Sequence, residues 1–171
     1  MATVNLSDYK PLHISSADEF TIGIVVSEWN EKITHNLRDA AIQILQKEGV
    51  TTENIYVCSV PGAFELTHGA MQLCKTNKFD AVIAIGCIIR GETPHFDFVS
   101  QGVTQGIKDC NTLTDTPTIF CVLTDDNIEQ SIARSGGTLG NKGVEAAVTA
   151  LKMIEFKHKI THKFGWRGPK N

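Results

Sequence analysis

Short apolar runs recur along the chain, each followed by a longer stretch in which apolar residues return every three or four positions. Residues 21–27 are apolar almost throughout, the mark of a strand covered on both faces. Behind them Ile33, Leu37, Ala40, Ala41, Ile44 and Leu45 fall on one face of a helix, with Asn30 as candidate N-cap and Gly49 as the stop. Residues 54–58 read as a second strand, and its helix runs from about Ala63 to Lys75 after the Val60-Pro61-Gly62 turn. The longest apolar run, 81–89, is the third strand and leads to a helix from Phe96 to about Asp109. A fourth strand over 118–123 begins after Pro117 and is followed by a short helix over 128–135 and a long one over 141–156.

Strands that alternate with helices in this way are parallel, joined by right-handed crossovers, with helices on both faces. The predicted fold is therefore α/β, a three-layer αβα sandwich of flavodoxin-like type on a four-stranded parallel sheet. It occupies 1–171 as a single domain, with 1–19 as an N-terminal arm and 158–171 as a solvated C-terminal tail. The arm holds β-capable residues, Leu12, His13 and Ile14, that have no partner in a four-stranded domain. They are expected to add a strand to a neighbour's sheet edge.

Composition agrees with one packed core: 42% of the 171 residues are hydrophobic and 20% charged, without a second composition regime. A net charge of −3 supplies no basic field for nucleic acid and no polybasic patch for a membrane surface. No apolar run approaches the roughly 20 residues that span a bilayer, and the N-terminus lacks a charged start followed by an apolar block, so a cytoplasmic protein is expected. The five cysteines lie in apolar segments without C-x-x-C spacing and read as reduced core thiols.

Parallel strands bring the loops that follow them to one edge, where ligands bind in such sheets. The four loops carry Glu28, Trp29 and Asn30; residues 60–65; residues 90–95; and residues 124–127. Taken singly, Trp29 reads as packing, Glu65 as a carboxylate at a helix dipole, Glu92 and Thr93 as helix caps, and His95 as structural. Together on one edge they read as a site. Pro94 fixes its own φ and biases Thr93 away from helix, so His95 stands on an extended, stiff support. No G-x-G-x-x-G follows the first strand, and the stretch from Gly136 to Gly143 lacks the Walker spacing, so neither motif argues for a nucleotide. His95 and Asp97 have no second histidine at ligand spacing, and no metal is expected.

Several longer motifs carry a resemblance. Val60-Pro61-Gly62-Ala63-Phe64-Glu65-Leu66, the segment from Gly86 to Val99, Phe120-x-Val122-Leu123-Thr124, Glu129-Gln130, Arg134 and Gly140-Asn141-Lys142-Gly143-x-Glu145-Ala146-Ala147 resemble the 6,7-dimethyl-8-ribityllumazine synthase family, in the expected order, over about residues 21–156. Thr67 stands where the family usually has proline, Cys121 where glycine is common, and Ser135-Gly136-Gly137 replaces an Ala-Gly pair.

The resemblance implies a transferase of riboflavin biosynthesis. It would condense 5-amino-6-(D-ribitylamino)uracil with 3,4-dihydroxy-2-butanone 4-phosphate, releasing phosphate and two waters, with no cofactor. Trp29 would stack on the pyrimidinedione, and main-chain groups of Cys87, Ile88 and Ile89 would bind its edge. Ala63, Phe64 and Glu65 would hold the ribityl chain. Glu92 and Thr93 would receive the phosphate opposite Arg134 of a neighbouring subunit. Phe120, also from the neighbour, would close over the ring, with Lys142 near the ribityl chain. His95 would transfer protons. The resemblance further implies pentamers and, because the segment between the last two helices is compact, a hollow shell of sixty subunits, with a pentamer or decamer as the fallback. An archaeal-type riboflavin synthase and a non-catalytic shell or binding protein are the alternative readings.

Overall fold

Alternate side chains of each central strand feed two separate apolar layers, and this is what stacks helices on both sides of the sheet. The computed structural model describes residues 7–12, 14 and 16–165. Four parallel strands, β1 (Ile22–Ser27), β2 (Ile55–Val60), β3 (Ala81–Ile89) and β4 (Thr118–Asp125), lie in the order β2-β1-β3-β4. Helices α1 (Glu31–Lys47), α2 (Leu66–Lys75), α3 (His95–Leu113), α4 (Ile128–Arg134) and α5 (Lys142–Phe164) complete the flavodoxin-like sandwich. Between α4 and α5 lies a small antiparallel hairpin, β5 (Ser135–Gly137) with β6 (Gly140–Asn141), which takes Ser135 and Asn141 from the ends of the helices expected over 128–135 and 141–156.

On one face Ile22, Ile24 and Val26 of β1 and Ile83 and Ile85 of β3 pack with Ile33, Leu37, Ala41 and Leu45 of α1 and with Ala147, Leu151 and Ile154 of α5. The four α1 residues are spaced by four, so one narrow stripe is wholly buried. On the other face Val25, Val82, Ala84 and Val122 meet Leu66, Ala70 and Cys74 of α2 and Val103, Ile107 and Cys110 of α3. Each fully buried aliphatic side chain contributes about 1.5–3 kcal/mol, so the sheet is anchored from both sides. The five cysteines are free thiols; four are buried and Cys58 is partly buried.

Several boundaries differ from the sequence expectation. Helix α2 starts at Leu66, because Ala63, Phe64 and Glu65 form a turn in which the Glu65 carboxylate accepts the Gly62 N–H at 3.1 Å. Helix α3 starts at His95 and runs on to Leu113, and β4 continues to Asp125 because its ladder with β3 extends to Ile89. Helix α5 continues to Phe164, so the expected solvated tail begins as regular helix. The helix stops only where Gly165 takes a left-handed φ of 65°. Asn30 stands at the start of α1 without capping it with its side chain.

The described part of the arm forms no strand. Leu12 and Ile14 pack on the α1/α5 layer of their own chain, Tyr9 donates to Glu48 Oε1 at 2.8 Å, and the Leu12 N–H donates to Glu48 Oε2 at 3.0 Å. Leu12 and Ile14 therefore have an intrachain partner that the sequence reading did not foresee. His13, Ser15, residues 1–6 and residues 166–171 lie outside the described residues.

Candidate functional site

The chain runs from β1 outward to β2 and then crosses back to β3, so the carboxyl ends of β1 and β3 part and leave a crevice. The loop after β1 bridges it. Its Glu28 and Trp29 N–H groups donate to the carbonyls of Val60 and Pro61 at 2.9 and 3.1 Å. Asn30 reaches the other way, Nδ2 donating to the Cys87 carbonyl at 3.0 Å. That reach requires a left-handed backbone at Asn30 (φ 60°, ψ 41°), which asparagine tolerates better than most residues.

A cleft of about 630 Å³ opens there, within the size range of small-molecule sites. Trp29, Ala63, Phe64 and Glu65 form one wall, Cys87, Ile88 and Ile89 the floor, and Gly91, Thr93, His95, Phe96, Phe98 and Val99 the other wall. Trp29 is 67% exposed, so its indole face is open to a planar ligand. Gly62 sets its position: a Cβ there would stand 2.8 Å from the indole and 3.0 Å from Glu65 Oε2. His95 is the first residue of α3, beside the positive end of that helix. The Thr93 hydroxyl accepts weakly from the His95 N–H at 3.4 Å.

The other expected residues lie elsewhere on the chain. Glu92 does not line this cleft. Phe120, Arg134 and Lys142 line a second cleft, of about 550 Å³, on the open edge of β4 against α5. There Phe120 is 41% exposed, Arg134 Nη1 donates to the Gln130 carbonyl at 2.9 Å while Nε lies 3.7 Å from Asp125 Oδ1, and Lys142 Nζ donates to Glu145 at 2.7 Å. Asp125 is itself fixed by the Ser131 hydroxyl at 2.7 Å. A single chain thus holds two separate groups of the expected site residues.

Burial pushes the Cys87 thiol up, although a hydrogen bond with Ser131 works against it, and burial pushes Cys121 up to about 12. Both stay protonated at neutral pH, so neither is a thiolate nucleophile. Thr67 donates its hydroxyl to the Phe64 carbonyl at 3.0 Å and closes the α2 turn. Sequence reasoning did not foresee the Asn30–Cys87 bond or the place of Phe98 in the wall. Phe98, 71% exposed and three residues after His95 on the same helix, was visible as an apolar residue at helical spacing. Among the described residues no group of three or more His, Cys, Asp or Glu could hold a metal, and no helix is long and apolar enough to cross a membrane.

A family model described as 6,7-dimethyl-8-ribityllumazine synthase matches residues 19–158. The chain is 54% identical over 162 residues to the 6,7-dimethyl-8-ribityllumazine synthase of Flavobacterium johnsoniae, covering 94% of this chain and 85% of that one. It is 54% identical over 158 residues to the protein of that name from Parabacteroides distasonis, covering 91% and 99% of the two chains. With the Flavobacterium psychrophilum protein of the same name the identity is 55% over 163 residues, 95% and 86% of the two chains. The match spans every strand of the sheet and every loop of the cleft, and it favours neither a riboflavin synthase nor a non-catalytic shell protein. The chain belongs to the 6,7-dimethyl-8-ribityllumazine synthase family, transferases of riboflavin biosynthesis.

Proposed function

We propose that the β1/β3 cleft condenses 5-amino-6-(D-ribitylamino)uracil with 3,4-dihydroxy-2-butanone 4-phosphate to give 6,7-dimethyl-8-ribityllumazine, phosphate and two waters, and that the chain works as one domain. The observation that carries this reading is the meeting of an open indole, a carboxylate and an imidazole, Trp29, Glu65 and His95, around one cleft at the carboxyl edge of the sheet.

The residues divide the work by their chemistry. Trp29 stacks on the pyrimidinedione, and polar main-chain groups of Cys87, Ile88 and Ile89 meet its edge. Ala63 and Phe64 supply main-chain groups to the ribityl chain, and Glu65 binds its hydroxyls with the carboxylate oxygen that Gly62 leaves free. The phosphate sits by Thr93 and the first turn of α3, where the helix dipole favours an anion, with Glu92 shaping the turn from outside. The substrate amine is the nucleophile. Its attack on the ketone carbonyl, loss of water to an imine, departure of phosphate and ring closure each move a proton, which the His95 imidazole accepts and returns. Holding the two substrates together supplies much of the remaining rate.

Phe120, Arg134 and Lys142 act from a neighbouring subunit. Supporting this is their separation from the His95 cleft within one chain, on an exposed strand edge that another copy can cover. The assembly is a pentamer, and sixty subunits close into a shell. The purified protein, given both substrates, forms fluorescent lumazine that appears only when both are present; no lumazine, or flavin formed from lumazine alone, refutes the proposal.

A further inference from the structure

The loop that carries His95 is fixed at both ends by one side chain. Arg90 follows the last residue of β3, and its main-chain N–H donates to the Asp125 carbonyl at 2.9 Å, which continues the β3–β4 ladder and fixes its backbone. The guanidinium then turns toward α3. Nη2 lies 3.1 Å from Asp97 Oδ1 and Nη1 3.4 Å from Asp97 Oδ2, the paired geometry of a planar fork on a carboxylate. Nε meets Asp126 Oδ1 at 2.9 Å, and the guanidinium carbon stands 4.1 Å from the centre of the Phe96 ring. Residues 91–95 form the short span between Arg90 and Phe96, and all five are exposed. Nothing lies within 4 Å of where a Cβ on Gly91 would be, so packing does not hold that end of the span.

Stability does not explain this arrangement. Arg90, Asp97 and Asp126 are 42%, 59% and 67% exposed, and ion pairs so open to solvent add little to folding. Nor does direct binding, since Arg90 is not among the residues lining the cleft. What the fork does is lock the residues immediately after His95 to the strand end before it.

We infer that Arg90 is a positioning residue: through Asp97 and Phe96 it sets the place of the His95 imidazole relative to bound substrates, without touching them. This rests on His95 being the proton-transfer group proposed above. Misplacing such a group by a fraction of its contact distance costs rate while leaving binding intact.

The test is a double-mutant cycle on turnover with the full-length protein. Arg90→Met is expected to lower kcat about tenfold with the KM of both substrates within about twofold, and to cost nothing further when placed on His95→Ala. Asp97→Asn, which breaks the same fork from its other end, is expected to repeat the result and serves if Arg90→Met does not fold. A slow His95→Ala protein on which either change still exacts its full factor overturns this inference alone. So does a rise in KM that accounts for the loss. Full turnover in His95→Ala by itself overturns the histidine assignment and this inference with it.

Discussion

The Asn30 side chain donates to the carbonyl of Cys87 at 3.0 Å, two residues beyond Ile85, where the β1–β3 ladder ends. The bond joins the loop that presents Trp29 to the floor of the cleft, and Asn30 makes it from a left-handed backbone, φ 60°. Asn30→Ala therefore carries two penalties, the left-handed backbone for a residue with a Cβ and an unpaired Cys87 carbonyl on a residue only 4% exposed. Together they are expected to destabilise the fold by about 1–3 kcal/mol. Asn30→Gly removes the first penalty and keeps the second, so its loss should be smaller. Denaturant unfolding of both variants checks the order; a glycine variant no more stable than the alanine one would show that the backbone geometry is not strained.

A second expectation concerns His95. The residue is exposed and makes no side-chain hydrogen bond that supports the fold, so His95→Ala should leave the unfolding midpoint in place. Turnover should fall by up to about 10²-fold, since general acid–base transfer is lost while binding and proximity remain. Unchanged turnover at neutral pH would remove His95 from the reaction.

The strands were legible because β1 and β3 are buried on both faces, so Ile22 to Val26 and Ala81 to Ile88 had to be continuous apolar runs. The start of α2 was not, since Ala63 and Phe64 are compatible with helix and only the Glu65–Gly62 hydrogen bond reveals the turn. The last two turns of α5 were hidden for a different reason. Residues 157–163 are mostly polar, and a solvated helix end needs no apolar stripe to persist until a glycine stops it. Within the site, Trp29, Glu65 and His95 could be grouped from topology alone, because loops after parallel strands share an edge. Arg90 shared that edge, at the head of the loop over 90–95, but its ion pairs gave no signal. Its partners lie seven and thirty-six positions away, and charge pairing across two loops leaves no periodic trace in the sequence.

The arm offers a pH test. The Tyr9 phenol is pushed up to about 12 from the ordinary 10.0, first by burial and then by the Glu48 carboxylate to which it donates. A raised folded-state value means that the folded chain holds this proton more firmly than the unfolded one. The stability it contributes is thus fully present below pH 10 and lost as pH rises toward 12. In a Tyr56→Phe background, phenolate absorbance should report Tyr9 alone and titrate well above the free phenol. The unfolding midpoint should fall between those pH values more steeply than in the Tyr9→Phe variant. A Tyr9 midpoint at the ordinary value, or identical alkaline losses in the two proteins, would show that the arm is not held by this bond.

The division of the site residues between two clefts leads to the last prediction. Arg134 is oriented by Asp125 and Gln130 on the β4 side, while His95 opens into the cleft between β1 and β3. If one subunit supplies His95 and its neighbour supplies Arg134, an oligomer of His95→Ala chains lacks the imidazole at every site, and an oligomer of Arg134→Ala chains lacks the guanidinium at every site. Mixing the two chains changes this, because some junctions pair an intact His95 with an intact Arg134. Denaturing the two variants together and refolding them should therefore recover a fraction of parent activity approaching one quarter at equal amounts, well above the average of the two variants refolded apart. Sedimentation of the same samples supplies the control: with a chain of 18.7 kDa, the proposed sixty-subunit shell slightly exceeds a megadalton and a pentamer has one twelfth of its mass. Mixed oligomers of either size that recover nothing would place the whole site within one chain, and a species no larger than a monomer would remove the neighbour that the shared site requires.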